Sequence, residues 1–225
     1  GLLDDRGHLM AQTWLGATGH TGCMPAFGAN LVEAFPPETV NPGDVFICND
    51  PWLCNGQTAD IFITTPAFHK GKLIGFSVNT IHHVDIGGRK GSGLSEEVFE
   101  EGLIIPMLRL YDAGEPNEML FDLIRRNVRY SEKMIGDLRA QVATGWSGCR
   151  ELERLCAEFD FPDLREVSDE ITGRTEEGIR AGLRELPDGE WREEMMMDID
   201  GIDEPQPLVV TVKIEGDQLY ADFTG

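Results

Sequence analysis

The residues able to do chemistry gather in two short stretches. In the first, His82-His83-Val84-Asp85-Ile86-Gly87-Gly88, two imidazoles and a carboxylate precede a glycine pair that lets the backbone turn tightly. With only five histidines in 225 residues, this is the densest constellation in the chain. Side chains alternate along an extended segment, so His82 and His83 point to opposite faces and only one of them serves a given site. The other, or Asp85, is placed to orient it. In the second stretch, Asn49-Asp50-Pro51-Trp52 closes an apolar run and a loop leads on to Gln57 and Asp60. Carboxylates beside imidazoles suit Zn²⁺, Mn²⁺ or Fe²⁺ better than Mg²⁺. His83, Asp85 and Asp50 are the candidate catalytic groups. A plainer reading stands beside this one: Asp50 and Asp60 cap turns, and the histidines satisfy ordinary hydrogen bonds.

Other chemistries have weaker support. There is no G-x-S-x-G elbow, and Gly91-Ser92-Gly93 reads as a flexible turn. Cys54 is available as a nucleophile or soft ligand, but a bystander thiol is the more economical reading. No Walker-type phosphate loop occurs, and Gly87-Gly88-Arg89-Lys90-Gly91 lacks its spacing, so any ATP used is expected on another subunit. The five cysteines include no C-x-x-C pair, which excludes a zinc ribbon or a thioredoxin-like motif and fits reduced thiols.

The elements that must carry these residues follow from pattern. Residues 1–115 read as β-rich, with a hairpin turning at Arg6-Gly7, a short helix over 28–35 stopped by Pro36-Pro37, and a turn at Asn41-Pro42-Gly43-Asp44. Strands are expected at 45–48, 60–65 and 73–81, the last delivering His82 and His83 at its end. Residues 116–186 switch to helical spacing: Leu120, Leu123, Ile124 and Val128; then Met134, Ile135, Leu138 and Val142 continuing to Leu152, Leu155 and Cys156; then Leu164, Val167, Ile171, Ile179 and Leu183. Three helices are predicted, with Gly145 to Gly148 a candidate interruption of the second. Residues 187–225 return to strands: one from Trp191 to Ile199, then a hairpin turning at Glu215-Gly216-Asp217. The fold class is α+β, with a mixed β-sheet region, a central helical segment and a C-terminal β-hairpin.

The net charge of −21 argues against nucleic acid and anionic membrane surfaces as partners, because phosphate binding needs clustered Lys and Arg. No apolar run approaches the roughly 20 residues of a spanning helix. Asp4, Asp5 and Arg6 break up any secretory leader, so a cytoplasmic location is expected. Gly1-Leu2-Leu3 reads as already inside a strand, and the chain stops on the alternating Leu219 to Phe223 run. The expectation is one incomplete domain of a longer protein.

Four segments carry a family resemblance: Gly1-Leu2-Leu3-Asp4 through Leu9-Met10-Ala11-Gln12, Asn41-Pro42-Gly43-Asp44-Val45-Phe46-Ile47-Cys48-Asn49-Asp50-Pro51, the His82 to Gly88 stretch, and Ala221-Asp222-Phe223-Thr224-Gly225. The chain resembles the hydantoinase B / acetone carboxylase alpha-subunit family, whose members also form the C-terminal half of ATP-dependent 5-oxoprolinase. His20 sits where the family often has a His-x-Gly-type turn. The resemblance implies a hetero-oligomer in which a hydantoinase A type subunit or domain binds and uses ATP. This component would then open a small cyclic amide such as 5-oxoproline or a hydantoin. It also implies a divalent metal (Zn, Mn or Fe), with Asp60 matching the carboxylate of the family's His-x-x-Asp pair and His82 the downstream ligand. Gln57 stands where that pair has its histidine, and a further Asp ligand of some members would lie just ahead of Gly1. The implied metal binding is therefore weak. Two alternatives stay open: a subunit of an ATP-dependent ketone carboxylase, or a non-catalytic structural component with a degraded metal site.

Overall fold

The structure is a computed structural model that describes residues 1–14, 16, 18–89, 95–199 and 202–224. Its elements run β1 (Leu2–Asp4), β2 (Leu9–Ala11), α1 (Thr18–Ala34), β3 (Val45–Cys48), β4 (Asp60–His69), β5 (Lys72–His82), α2 (Val98–Glu101), β6 (Leu108–Asp112), β7 (Glu115–Pro116), α3 (Glu118–Asn127), α4 (Ser131–Phe159), α5 (Arg165–Arg184), β8 (Gly189–Met197), β9 (Gln206–Glu215) and β10 (Gln218–Asp222). The α+β class is as expected. Two compact units divide the chain, Gly1–Ser168 and Asp169–Gly225.

In the first unit seven strands form one sheet in the order β2-β1-β5-β4-β3-β6-β7, and every pairing is antiparallel. The side-chain period of two sorts the core between the two faces. Val45, Ile47, Ile61 and Ile63 join a cluster with Leu120, Ile124, Leu138 and Val142, so α3 and α4 cover that face. Phe46, Cys48, Phe62 and Phe76 join Met24, Phe27 and Leu31 of α1 on the other. Phe27 and Phe62 lie with ring centroids 4.6 Å apart, which seats α1 on β4.

Two expectations need correction. The helix predicted over 28–35 begins at Thr18, so His20 lies in a helix and not in a turn. Pro25 and the glycines at 19, 22 and 28 hide it from propensity, and packing overrides them. The predicted break at Gly145 to Gly148 is absent, because α4 runs unbroken for 29 residues. Those glycines let the helix lie against the sheet: a Cβ at Gly145 would stand 2.2 Å from Thr65 Oγ1, and one at Gly148 2.3 Å from Ser77 Oγ.

In the second unit β8, β9 and β10 form a three-stranded antiparallel sheet, so the predicted hairpin gains β8 as a neighbour. Asp217 at its turn pairs with Arg180 at 3.2 Å and Arg184 at 3.0 Å. Among the described residues no helix is long and apolar enough to cross a membrane.

Candidate active site

Asp60 opens β4 and His82 closes β5, and the sheet register sets them directly opposite each other. Cross-strand partners have Cβ atoms about 4.5–5.5 Å apart, so their side chains meet. His82 Nδ1 lies 2.8 Å from Asp60 Oδ1. His20 Nε2 reaches Asp60 Oδ2 at 3.0 Å from α1, and the Asn55 amide donates to the same oxygen at 2.6 Å. His20 falls on one helical stripe with Met24, Phe27 and Leu31, which is why packing α1 on the sheet brings it over Asp60. Asp60 is 1% exposed. Burial alone would push its carboxyl up, but Asn55, His20 and His82 outweigh burial and hold it below the usual carboxylate range. Among the described residues no three or more His, Cys, Asp or Glu side chains stand around a common point as metal ligands, and this trio is joined by hydrogen bonds.

His82 and His83 diverge as alternation requires. His83 continues the ladder by donating its N–H to the Ala59 carbonyl at 2.8 Å, and its ring turns to the α4 face. There Nε2 lies 3.0 Å from Gln141 Oε1. Burial pushes the His83 pKa down, so the ring is neutral near pH 7. Both histidines line a cleft of about 220 Å³ together with Gln57, Thr58, Asp85 and Arg129. That volume lies below the roughly 300 Å³ at which drug-sized pockets begin and suits a small substrate.

The remaining candidates play other parts. Asp85 accepts from the backbone N–H groups of Arg129, Gly87 (3.2 Å) and Tyr130 (3.3 Å), and from Arg129 Nη1 at 2.7 Å. Its lone pairs are spent clasping the loop after β5 to the start of α4. Burial raises its carboxyl, and these donors more than offset that and hold it low. Gly88 completes the seat, since a Cβ there would lie 2.1 Å from the Glu100 carbonyl oxygen. Asp50 is not among the residues lining the cleft; it accepts from Trp52 N–H at 3.0 Å within the turn. Gln57 is exposed at the cleft wall, and the Asp60 oxygens are taken by Asn55, His20 and His82 instead. Cys54 is buried against Cys48, and the thiol hydrogen bond between them, together with burial, pushes its pKa up. The turn at Gly91-Ser92-Gly93 lies outside the described residues.

Sequence reasoning did not find His20, Asn55 or Gln141 as site residues. His20 was hidden because the start of α1 was not readable, whereas Gln141 falls on the buried face of α4 beside Leu138 and Val142. Asn55 carries no such signal.

The Hydantoinase B/oxoprolinase family description matches residues 1–225. Over 235 residues the chain is 30% identical to the hydantoinase B component of a putative D-/L-hydantoinase from Pseudomonas sp. (strain NS671), covering 100% of this chain and 40% of that relative. The crystal structure of ATP-dependent caprolactamase from Pseudomonas jessenii is similar at a TM-score of 0.85 and 26% identity, over 98% of this chain and 38% of that one. The nucleotide-free structure of acetone carboxylase shares the fold at a TM-score of 0.80 and 21% identity, over 99% and 32%. The chain thus spans about 40% of the length of the first of these relatives.

Proposed function

Because the chain belongs to the hydantoinase B/oxoprolinase family, we propose that it carries the hydrolytic site of an ATP-dependent enzyme that opens small cyclic amides of the hydantoin or 5-oxoproline type. A hydantoinase A type subunit or domain would bind and spend the ATP. The observation that carries this reading is the buried Asp60 carboxylate held between His20 and His82, of which His82 also lines the cleft. A cyclic amide is activated at its carbonyl and opened by water, which calls for an electrophile and a base.

One carboxylate and two imidazoles are ligand types suited to a divalent transition metal such as Zn²⁺, Mn²⁺ or Fe²⁺, but here they bond to one another and do not surround a common point, so holding the ion requires these hydrogen bonds to open. His20, Asp60 and His82 would hold it, with His20 supplying the second imidazole that Gln57 does not. When bound, such an ion supplies Lewis acidity toward the amide carbonyl. Asn55 fixes the Asp60 carboxylate by its 2.6 Å hydrogen bond, and the Asp85 clasp holds the loop that carries His83. His83 takes the proton of the attacking water at Nδ1, and the walls at Thr58 and Gln57 orient the ring of the substrate.

The test is an assay of the complete two-component enzyme. ATP-dependent ring opening of hydantoin or 5-oxoproline without bicarbonate is the expected result. ATP turnover that needs bicarbonate and a ketone would replace this reading with a carboxylase.

A further inference from the structure

The contact between His83 and Gln141 has a consequence for proton chemistry. His83 is 2% exposed and Gln141 3%. Gln141 Nε2 donates to the Ile61 carbonyl at 2.9 Å. A carbonyl oxygen only accepts, so this bond fixes which end of the amide faces His83. The end that does so is Oε1, at 3.0 Å from His83 Nε2. Oε1 also only accepts, so Nε2 must carry the ring hydrogen. The neutral ring then presents Nδ1 as a bare lone pair. Nδ1 is buried and has no hydrogen-bond partner among the described residues. Leaving a buried polar atom unpaired is destabilising, and the ring's other contacts do not offset it. His83 also lines the cleft.

We propose that Gln141 is a positioning residue: it locks His83 in the Nε2–H tautomer and keeps the Nδ1 lone pair for a proton from a water or substrate donor in the cleft. This rests on the hydrolytic reading of the site. In the step it serves, the attacking water gives a proton to Nδ1 while its oxygen bonds to the amide carbon. The C–N bond then breaks, and the proton passes from Nδ1 to the departing ring nitrogen. The strand end supplies the base, and α4, crossing the opposite face from His20, sets its tautomer.

The test uses the complete enzyme with ring-¹⁵N-histidine in this subunit, the His83 signals being assigned with His83→Ala. Wild type should show a protonated Nε2 and a bare Nδ1. Gln141→Met, which removes the acceptor, should mix the tautomers and lower kcat about 10–100-fold with KM nearly unchanged. Gln141→Glu keeps an acceptor opposite Nε2 and should restore the tautomer and most of kcat. A bare Nε2 in wild type, or a Gln141→Met enzyme with wild-type tautomer and kcat, overturns the proposal. The nitrogen signals need no turnover, so they report the lock even if the enzyme proves not to open cyclic amides. A His83→Ala enzyme with wild-type kcat would instead remove His83 from the chemistry.

Discussion

Three side chains from three segments converge on the Asp60 carboxylate: Asn55 from the loop before β4, His20 from α1 and His82 from the end of β5. Asn55 donates to the carboxylate and its Oδ1 accepts from Gln57 N–H at 3.4 Å, so its loss should loosen Asp60 without removing a reacting group. Asn55→Ala is expected to lower ring opening about 10–100-fold, measured as kcat/KM, with little change in unfolding midpoint. Asp85 gives a pH prediction. Its folded pKa is depressed below the unfolded value of about 3.9, so its clasp is fully present above that value and is lost as pH falls through the folded pKa. Amide-exchange protection at Gly87, Arg129 and Tyr130 should therefore hold at pH 5 and above and drop on further acidification. In Asp85→Asn protection should be weaker and nearly flat with pH.

At the scale of elements, α4 decides how closely the helical layer approaches the sheet. Gly145→Ala gains about 0.8–1.0 kcal/mol of helix propensity but forces a Cβ to 2.2 Å from Thr65 Oγ1. Overpacking costs about 1–3 kcal/mol, so the variant should be destabilised on balance. Gly136 lies on the same helix with nothing within 4 Å, and Gly136→Ala should stabilise by about 0.5–1 kcal/mol. Denaturant midpoints of the full-length subunit, moving in opposite directions, are the measurement. The same helix shows what was legible. Leu138 and Val142 announced its buried stripe, yet Gly145 read as a break, because a glycine's fit against another layer is not encoded locally. Strands β3, β4 and β5 could be read from apolar runs, whereas the association of Asp60 with His82 came from the family resemblance. The helix α1 could not be read at its start, since Gly19, Gly22 and Pro25 speak against it, and so His20 was placed in a turn. A carboxylate in a loop such as Asp50 gives the same local signal whether it caps a turn or reacts.

Taken whole, the molecule keeps its candidate site inside Gly1–Ser168, while the chain spans about 40% of its hydantoinase relative. Its charge of −21 disfavours polyanions as partners. If His20, Asp60 and His82 hold a metal, binding stabilises the folded state by linkage, about 2.7 kcal/mol at a hundredfold excess over Kd. The unfolding midpoint of the full-length subunit should rise with added Zn²⁺ or Mn²⁺, and His20→Ala should abolish the rise. An identical response in wild type and His20→Ala would remove His20 from the ligand set. The most direct measurement is the ring-opening rate of the complete, ATP-supplied enzyme carrying Asp60→Asn, with its fold verified. The account predicts a loss on the order of 100-fold or more, because the carboxylate that joins both imidazoles is gone. Turnover at the wild-type rate would contradict it.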